Sequence, residues 1–234
     1  MLRNFTKFTV LTIMSYSAAV EMNNNSPKRK VAGFNQGSAD VMVMDNLNTG
    51  DILLFRREWH NYHIPTAAMI LLYNYIHNTE FDHGALIVVD NAGAVFVVER
   101  TPFRGIKCRP FEDRILRSKA SQIVLIPIEP HLPIPSGSVK QRFENLNLEG
   151  EVKFFFRNLL LSVTGSSNKI QCPSTTAIIQ LYSIFGFRTQ SNLDLQEATS
   201  NLNLASIYSR NINLYSLDGE KFSLLAQNVV IRTR

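Results

Sequence analysis

The stretch Phe81-Asp82-His83-Gly84-Ala85-Leu86-Ile87-Val88-Val89-Asp90-Asn91-Ala92-Gly93-Ala94-Val95-Phe96-Val97-Val98-Glu99-Arg100 decides the fold class. Two apolar, β-branched runs, 85–89 and 95–99, flank Asp90-Asn91-Ala92-Gly93. Those residues favour a turn, because Asp and Asn hydrogen-bond their own backbone and Gly accepts positive φ. The pattern predicts an antiparallel hairpin with buried faces. A His opens its first strand and a carboxylate closes its second, so the hairpin sets His83 and Glu99 side by side.

Moving outward, 51–55 (DILLF) and 123–128 (IVLIPI) are further short strands bounded by turn residues. Residues 65–77 begin with Pro65, suited to a first helical turn, and carry an apolar stripe. Val152, Phe155, Phe156, Leu159 and Leu160 fall at helical spacing within 139–162, and 173–185 repeats that signal. The expected class is therefore α+β, a small antiparallel sheet packed against helices. Further strands are expected near Ile207–Leu214 and Val229–Ile231.

At 234 residues, the chain suits one large domain plus tails. Its apolar share of 45% and charged share of 18% are globular, and no window approaches the ~20 apolar residues of a membrane span. The formal charge of +5 comes from Lys and Arg scattered among acids, which argues against nucleic acid as a partner. Residues 1–20 carry Arg3 and Lys7 among Ser and Thr, with no acid before Glu21. That composition leads to a mitochondrial transit peptide, with a secretory signal as the alternative. Residues 22–40, with Lys28-Arg29-Lys30, read as a flexible linker, so the folded domain is expected from about Val41.

Three places hold a reactive side chain. His83 sits at a strand end with Gly84 beside it, where an imidazole of ordinary pKa near 6.5 exchanges protons near neutrality and the glycine leaves room for a substrate. A structural histidine at a strand edge fits the same pattern. Glu99 closes a buried run and so needs a partner: His83, as the orienter of its imidazole, or Arg100 or Arg104 as a plain ion pair. Cys172 precedes Pro173-Ser174-Thr175-Thr176 and an apolar stripe, which puts it at a helix N-terminus. There the backbone N–H groups favour a thiolate and form part of an oxyanion hole. A buried, inert cysteine is the other reading. Cys108, in Lys107-Cys108-Arg109-Pro110, is a weaker rival nucleophile. The two cysteines show no zinc spacing, and His60, His63 and His77 lack partners at ligand spacing, so no metal or cofactor is implied.

The order of these features, a His opening a strand, a carboxylate closing the next and a Cys opening a later helix, resembles the permuted NlpC-like papain superfamily. The bacterial YiiX-like group and lecithin retinol acyltransferase belong to it. Leu47-Asn48-Thr49-Gly50-Asp51-Ile52-Leu53-Leu54-Phe55 is similar to the Gly-Asp strand that opens that fold, and the likeness covers roughly Val41 to Phe187. It departs at Asp82, where the family has a small residue, and at Cys172-Pro173-Ser174-Thr175, where the family has a Cys-Ser-Glu-Leu-like segment.

The resemblance implies a circularly permuted papain-like domain over 41–187, with 130–170 as an insertion or lid and 188–234 as an extension packed on the domain. It implies a cysteine-dependent hydrolase or acyltransferase with Cys172 as nucleophile, His83 as base and Glu99 as orienter. The substrate would be an amide, ester or thioester of a peptide, an acyl lipid or a protein conjugate. The competing expectation is a catalytically silent structural or binding subunit of a larger assembly.

Overall fold

The structure is a computed structural model and describes Tyr16 and residues 39–129, 139–166, 170–185, 188–189, 204–208, 214–215, 221–224 and 229–233. The targeting segment and linker expected over 1–40 lie outside the described residues, apart from Tyr16 and the start of the first helix.

The elements in chain order are α1 (Ala39–Asp45), β1 (Ile52–Arg57), α2 (Ile64–His77), β2 (His83–Val89), β3 (Val95–Arg100), β4 (Ile106–Pro110), α3 (Phe111–Leu116), β5 (Ala120–Ile126) and β6 (Ile128–Glu129). They continue with α4 (Val139–Glu144), α5 (Glu151–Val163), α6 (Pro173–Ile184), β7 (Arg188–Thr189), α7 (Leu204–Tyr208), β8 (Leu214–Tyr215), β9 (Lys221–Leu224) and β10 (Val229–Thr233). The protein is α+β. A six-stranded antiparallel sheet runs β10-β5-β1-β2-β3-β4, and a smaller one runs β6-β9-β8-β7.

The β2–β3 hairpin forms as the turn residues require. Ala85 lies opposite Glu99 and Val89 opposite Val95. Asp90 Oδ1 accepts from the amides of Ala92 and Ala94, and Gly93 takes a φ of +80°. Asp51, which opens β1, has its carboxylate satisfied by the amides of Asn48 and Ile128, so a buried acid there is tied to two strand connections.

The large sheet is buried on both faces, and strand periodicity divides the core in two. Ile52, Leu54, Leu86, Val88, Val98 and Val124 face one way, toward a cluster that includes Tyr73, Phe155, Cys172 and Ile178. Leu53, Phe55, Ala85, Ile87, Val97 and Ile123 face the other, toward Phe111 and Ile115 of α3. A fully buried Leu, Ile or Phe on either face contributes about 1.5–3 kcal/mol. Helix α2 buries Thr66, Met69, Ile70 and Tyr73, one face at helical spacing. Helix α6 is more deeply set, with Pro173 to Ile179, Leu181 and Tyr182 all buried.

Packing adds detail to the expected domain layout and corrects two local expectations. Within the segment read as an insertion or lid, Phe143 and Phe155 belong to the core, and α5 supplies a buried carboxylate, Glu151, at the start of its first turn. Part of the expected C-terminal extension completes the main sheet, because β10 pairs with β5. The strand expected near Ile207–Leu214 begins instead as helix α7, where Leu204 and Ile207, three residues apart, bury one face. Gly84 does not open space for a substrate: a Cβ there would meet Ile178 Cδ1 at 2.9 Å and Leu204 Cδ2 at 3.1 Å, so the glycine admits α6 and α7 against the sheet. Among the described residues, no helix is long and apolar enough to cross a membrane.

Candidate functional site

Three strand ends meet at one edge of the large sheet: β1 finishes at Arg57, β2 starts at His83, and β3 is finishing at Glu99. His83 lies two residues before Ala85, the partner of Glu99, so the two side chains are diagonal neighbours on one face. His83 Nε2 lies 2.7 Å from Glu99 Oε2. On the other side of the ring, Nδ1 lies 2.6 Å from Glu151 Oε1.

Each imidazole nitrogen thus faces an acceptor, and only the doubly protonated ring donates from both. Burial by itself lowers the His83 pKa, but the Glu151 carboxylate and the bonds to Glu151 and Glu99 outweigh it, and the net shift is upward. Burial alone would raise the two carboxylates. Arg114 and His83 pull Glu99 well below the ordinary range, and Arg57 and His83 pull Glu151 down to about 2.

The cluster extends further. Arg57 Nη1 donates to Glu151 Oε2 at 2.9 Å, and its Nε and backbone amide donate to Asp82. Arg114 Nε donates to Glu99 Oε1 at 2.7 Å, with Arg109 Nη1 3.6 Å from the same oxygen. Arg57, His83 and Arg114 therefore face Asp82, Glu151 and Glu99, three cations against three buried carboxylates. Paired and hydrogen-bonded to this degree, buried charges are tolerated. Removing one partner would leave another stranded.

Asp82 is the acid that holds Arg57. Burial pushes its pKa up and Arg57 pulls against that.

The first turn of α6 approaches this cluster with two candidate nucleophiles, which it separates. Ser174 Oγ donates to Glu151 Oε1 at 2.9 Å and lies 3.2 Å from His83 Nδ1. Cys172 caps the helix as its spacing predicts, its sulfur accepting from the Thr175 amide at 3.4 Å. The thiol turns toward α2, however, and accepts from the Tyr73 hydroxyl at 3.1 Å. Tyr73 in turn accepts from the Leu204 amide at 3.4 Å.

Cys172 is wholly buried among the apolar side chains of the first core cluster. Burial pushes its thiol pKa up, against the pull of the Thr175 and Tyr73 hydrogen bonds, which disfavours the thiolate that a nucleophile needs. No hydrogen bond joins Cys172 to His83. The structure therefore brings His83 and Glu99 together and leaves the third expected member facing elsewhere.

Cys108 is half-buried on β4, opposite Val98, and neither cysteine is in a disulfide. His60 and His63 are exposed, and His77 packs on Tyr73 with ring centroids 4.5 Å apart. Among the described residues, no group of three or more His, Cys, Asp or Glu is placed to hold a metal ion.

Sequence reasoning missed Glu151, Arg57, Arg114 and the proximity of Ser174. The one local signal was an acid in the first turn of an amphipathic helix, which reads equally well as a helix-dipole partner. Beside His83, Arg100 or Arg104 was the alternative partner expected for Glu99. Arg114 of α3 takes that role because α3 covers the odd-numbered face of β3. No protein-family model matches this sequence, and no curated protein matches it.

Proposed function

We propose that this chain is a binding subunit on a papain-like scaffold that does not use thiol catalysis. The observation that carries this reading is the engagement of both His83 nitrogens by carboxylates while the Cys172 sulfur points to Tyr73. An imidazolium held between Glu99 and Glu151 has no lone pair with which to accept a proton, and a thiol held neutral in an apolar site is a poor nucleophile. Both departures from the family pattern fit this reading. Asp82 anchors Arg57, which holds Glu151 against His83, and the Cys-Pro-Ser-Thr segment sets a serine where the histidine is reached.

The test is iodoacetamide labelling of the reduced protein from pH 5 to 9, with Cys172 and Cys108 mapped by mass spectrometry in wild type and in His83→Gln. The expected result is slow Cys172 labelling at every pH, unchanged by the substitution, with Cys108 reacting first. Fast labelling of Cys172 at low pH that vanishes in His83→Gln would restore the cysteine hydrolase or acyltransferase.

One observation favours a second reading, the 3.2 Å approach of Ser174 Oγ to His83 Nδ1 at a helix N-terminus. In that chemistry Glu151 takes the Nδ1 proton and leaves the ring neutral, and Ser174 Oγ attacks an acyl carbonyl as its proton passes to Nδ1. The protonated ring then gives that proton to the leaving group, Glu99 orients the ring through Nε2, and water resolves the acyl-enzyme. Stoichiometric fluorophosphonate labelling of Ser174, lost in His83→Gln, would establish it.

A further inference from the structure

A cavity of about 180 Å³ opens onto His83 and Glu99 at the sheet edge. Its wall carries five arginines and a lysine: Arg57, Arg100, Arg109, Arg114, Arg117 and Lys119. The one carboxylate in that wall, Glu99, is spent, with Oε2 on His83 and Oε1 on Arg114 and Arg109. Arg57 and Arg114 are likewise committed to the ion cluster, and Arg117 pairs with Asp113.

Arg100 is different. It is 1% exposed, its Nη1 donates to the Pro173 carbonyl at 3.0 Å, and its guanidinium lies 4.4 Å from the centroid of the Phe154 ring. Its Nε has no hydrogen-bond partner but also no surface open to the cavity, so it lends the cavity charge rather than a contact. At the mouth of the cavity, the side chains of Arg109 and Arg117 are 46% and 57% exposed, so they remain able to swing onto a guest.

We propose that this cavity binds the phosphate group of a small phosphorylated molecule, held by Arg109, Arg117 and Lys119, with the buried charge of Arg100 beneath. The proposal takes up the binding-subunit reading and names its ligand class. Guanidinium forks suit phosphate oxygens, and donors converging from several elements suit a tetrahedral group better than a planar one. The volume is below the ~300–1,000 Å³ of pockets that enclose drug-sized ligands, so it admits a compact anionic group and excludes a peptide or an acyl chain.

The experiment is calorimetric titration of the full-length protein with inorganic phosphate, pyrophosphate and acetate at low ionic strength. It is run on wild type, on the Arg109→Gln/Arg117→Gln double variant, whose changes are at exposed side chains, and on Lys119→Gln. Circular dichroism confirms that each is folded. Saturable phosphate or pyrophosphate binding, tighter than acetate and weakened about tenfold or more in each variant, is expected, since a charge-assisted hydrogen bond is lost. Two results would overturn the proposal: no saturable heat in wild type, or undiminished binding in both variants.

Iodoacetamide and fluorophosphonate labelling of the same samples separates the two ideas. Binding together with His83-dependent labelling of Cys172 or Ser174 would keep the cavity and end the non-catalytic reading. Neither binding nor labelling would end the cavity proposal alone.

Discussion

Cys172 and Ser174 stand two residues apart on one helical turn, yet their surroundings differ in kind. Ser174 ends in a cluster of three cations and three carboxylates. Cys172 ends in an apolar pocket with the Tyr73 hydroxyl and the Thr175 amide as its donors. Both are buried, so burial alone says nothing about reactivity. What differs is charge. The ionic side holds protons by Coulomb attraction, whereas the apolar side keeps a thiol neutral because its hydrogen bonds do not offset the desolvation of its anion. A helix N-terminus favours an anion, but its effect is modest beside the desolvation of a fully buried sulfur.

The largest expected effect comes from breaking the ionic side. Glu151→Ala leaves His83 and Arg57 each with one buried carboxylate partner fewer, Glu99 and Asp82 remaining, and should cost about 3 kcal/mol in urea unfolding at neutral pH. A loss under ~1 kcal/mol would mean that the cluster is not what secures the sheet edge.

The pH dependence sharpens the same side. The folded pKa of His83 is raised, so its contribution is fully present below the unfolded value of about 6.5 and is lost as pH rises through the folded value. Glu99 and Glu151 are lowered, so theirs is present above the unfolded value of about 4.5 and is lost as pH falls toward the folded values. The stability gap between wild type and His83→Gln should therefore be greatest between those limits and shrink in alkali. A gap that stays constant from pH 5 to 10 would show a neutral ring and undo the imidazolium assignment.

On the apolar side, Tyr73→Phe removes the donor to Cys172 and the acceptor of the Leu204 amide, and should cost about 1–2 kcal/mol in the same measurement. It should leave phosphate binding unchanged. If it altered binding, the two sides would be coupled through α6. The smallest effect belongs to the cavity mouth, where Arg109→Gln should shift unfolding by no more than ~0.5 kcal/mol, because its side chain is half exposed.

Much of the fold was legible locally. The hairpin, the strands β1 and β5, and the helices α2, α5 and α6 all follow from alternation, turn residues and Pro at helix starts. The pairing of His83 with Glu99 was legible too, because a short loop sets hairpin register and register sets which side chains are diagonal neighbours. Glu151 and Arg57 were not. They lie 68 and 26 positions from His83 in the numbering, and nothing local to either distinguishes an acid or an arginine that will be buried from one that will be solvated. The direction of the Cys172 thiol was hidden for a related reason. Its place at the helix start is local, but its rotamer is chosen by the Tyr73 hydroxyl and the apolar wall of α2.

By itself, the sequence determined the α+β class, the hairpin carrying His83 and Glu99, and a helix that begins at Cys172, since each is written within a few turns of chain. Only the tertiary structure decided that Glu151 and Ser174, rather than Cys172, face the imidazole. That choice depends on how α5 and α6 pack across the end of the sheet, where the cost of burying charge forces every cation to find a carboxylate from a distant part of the chain.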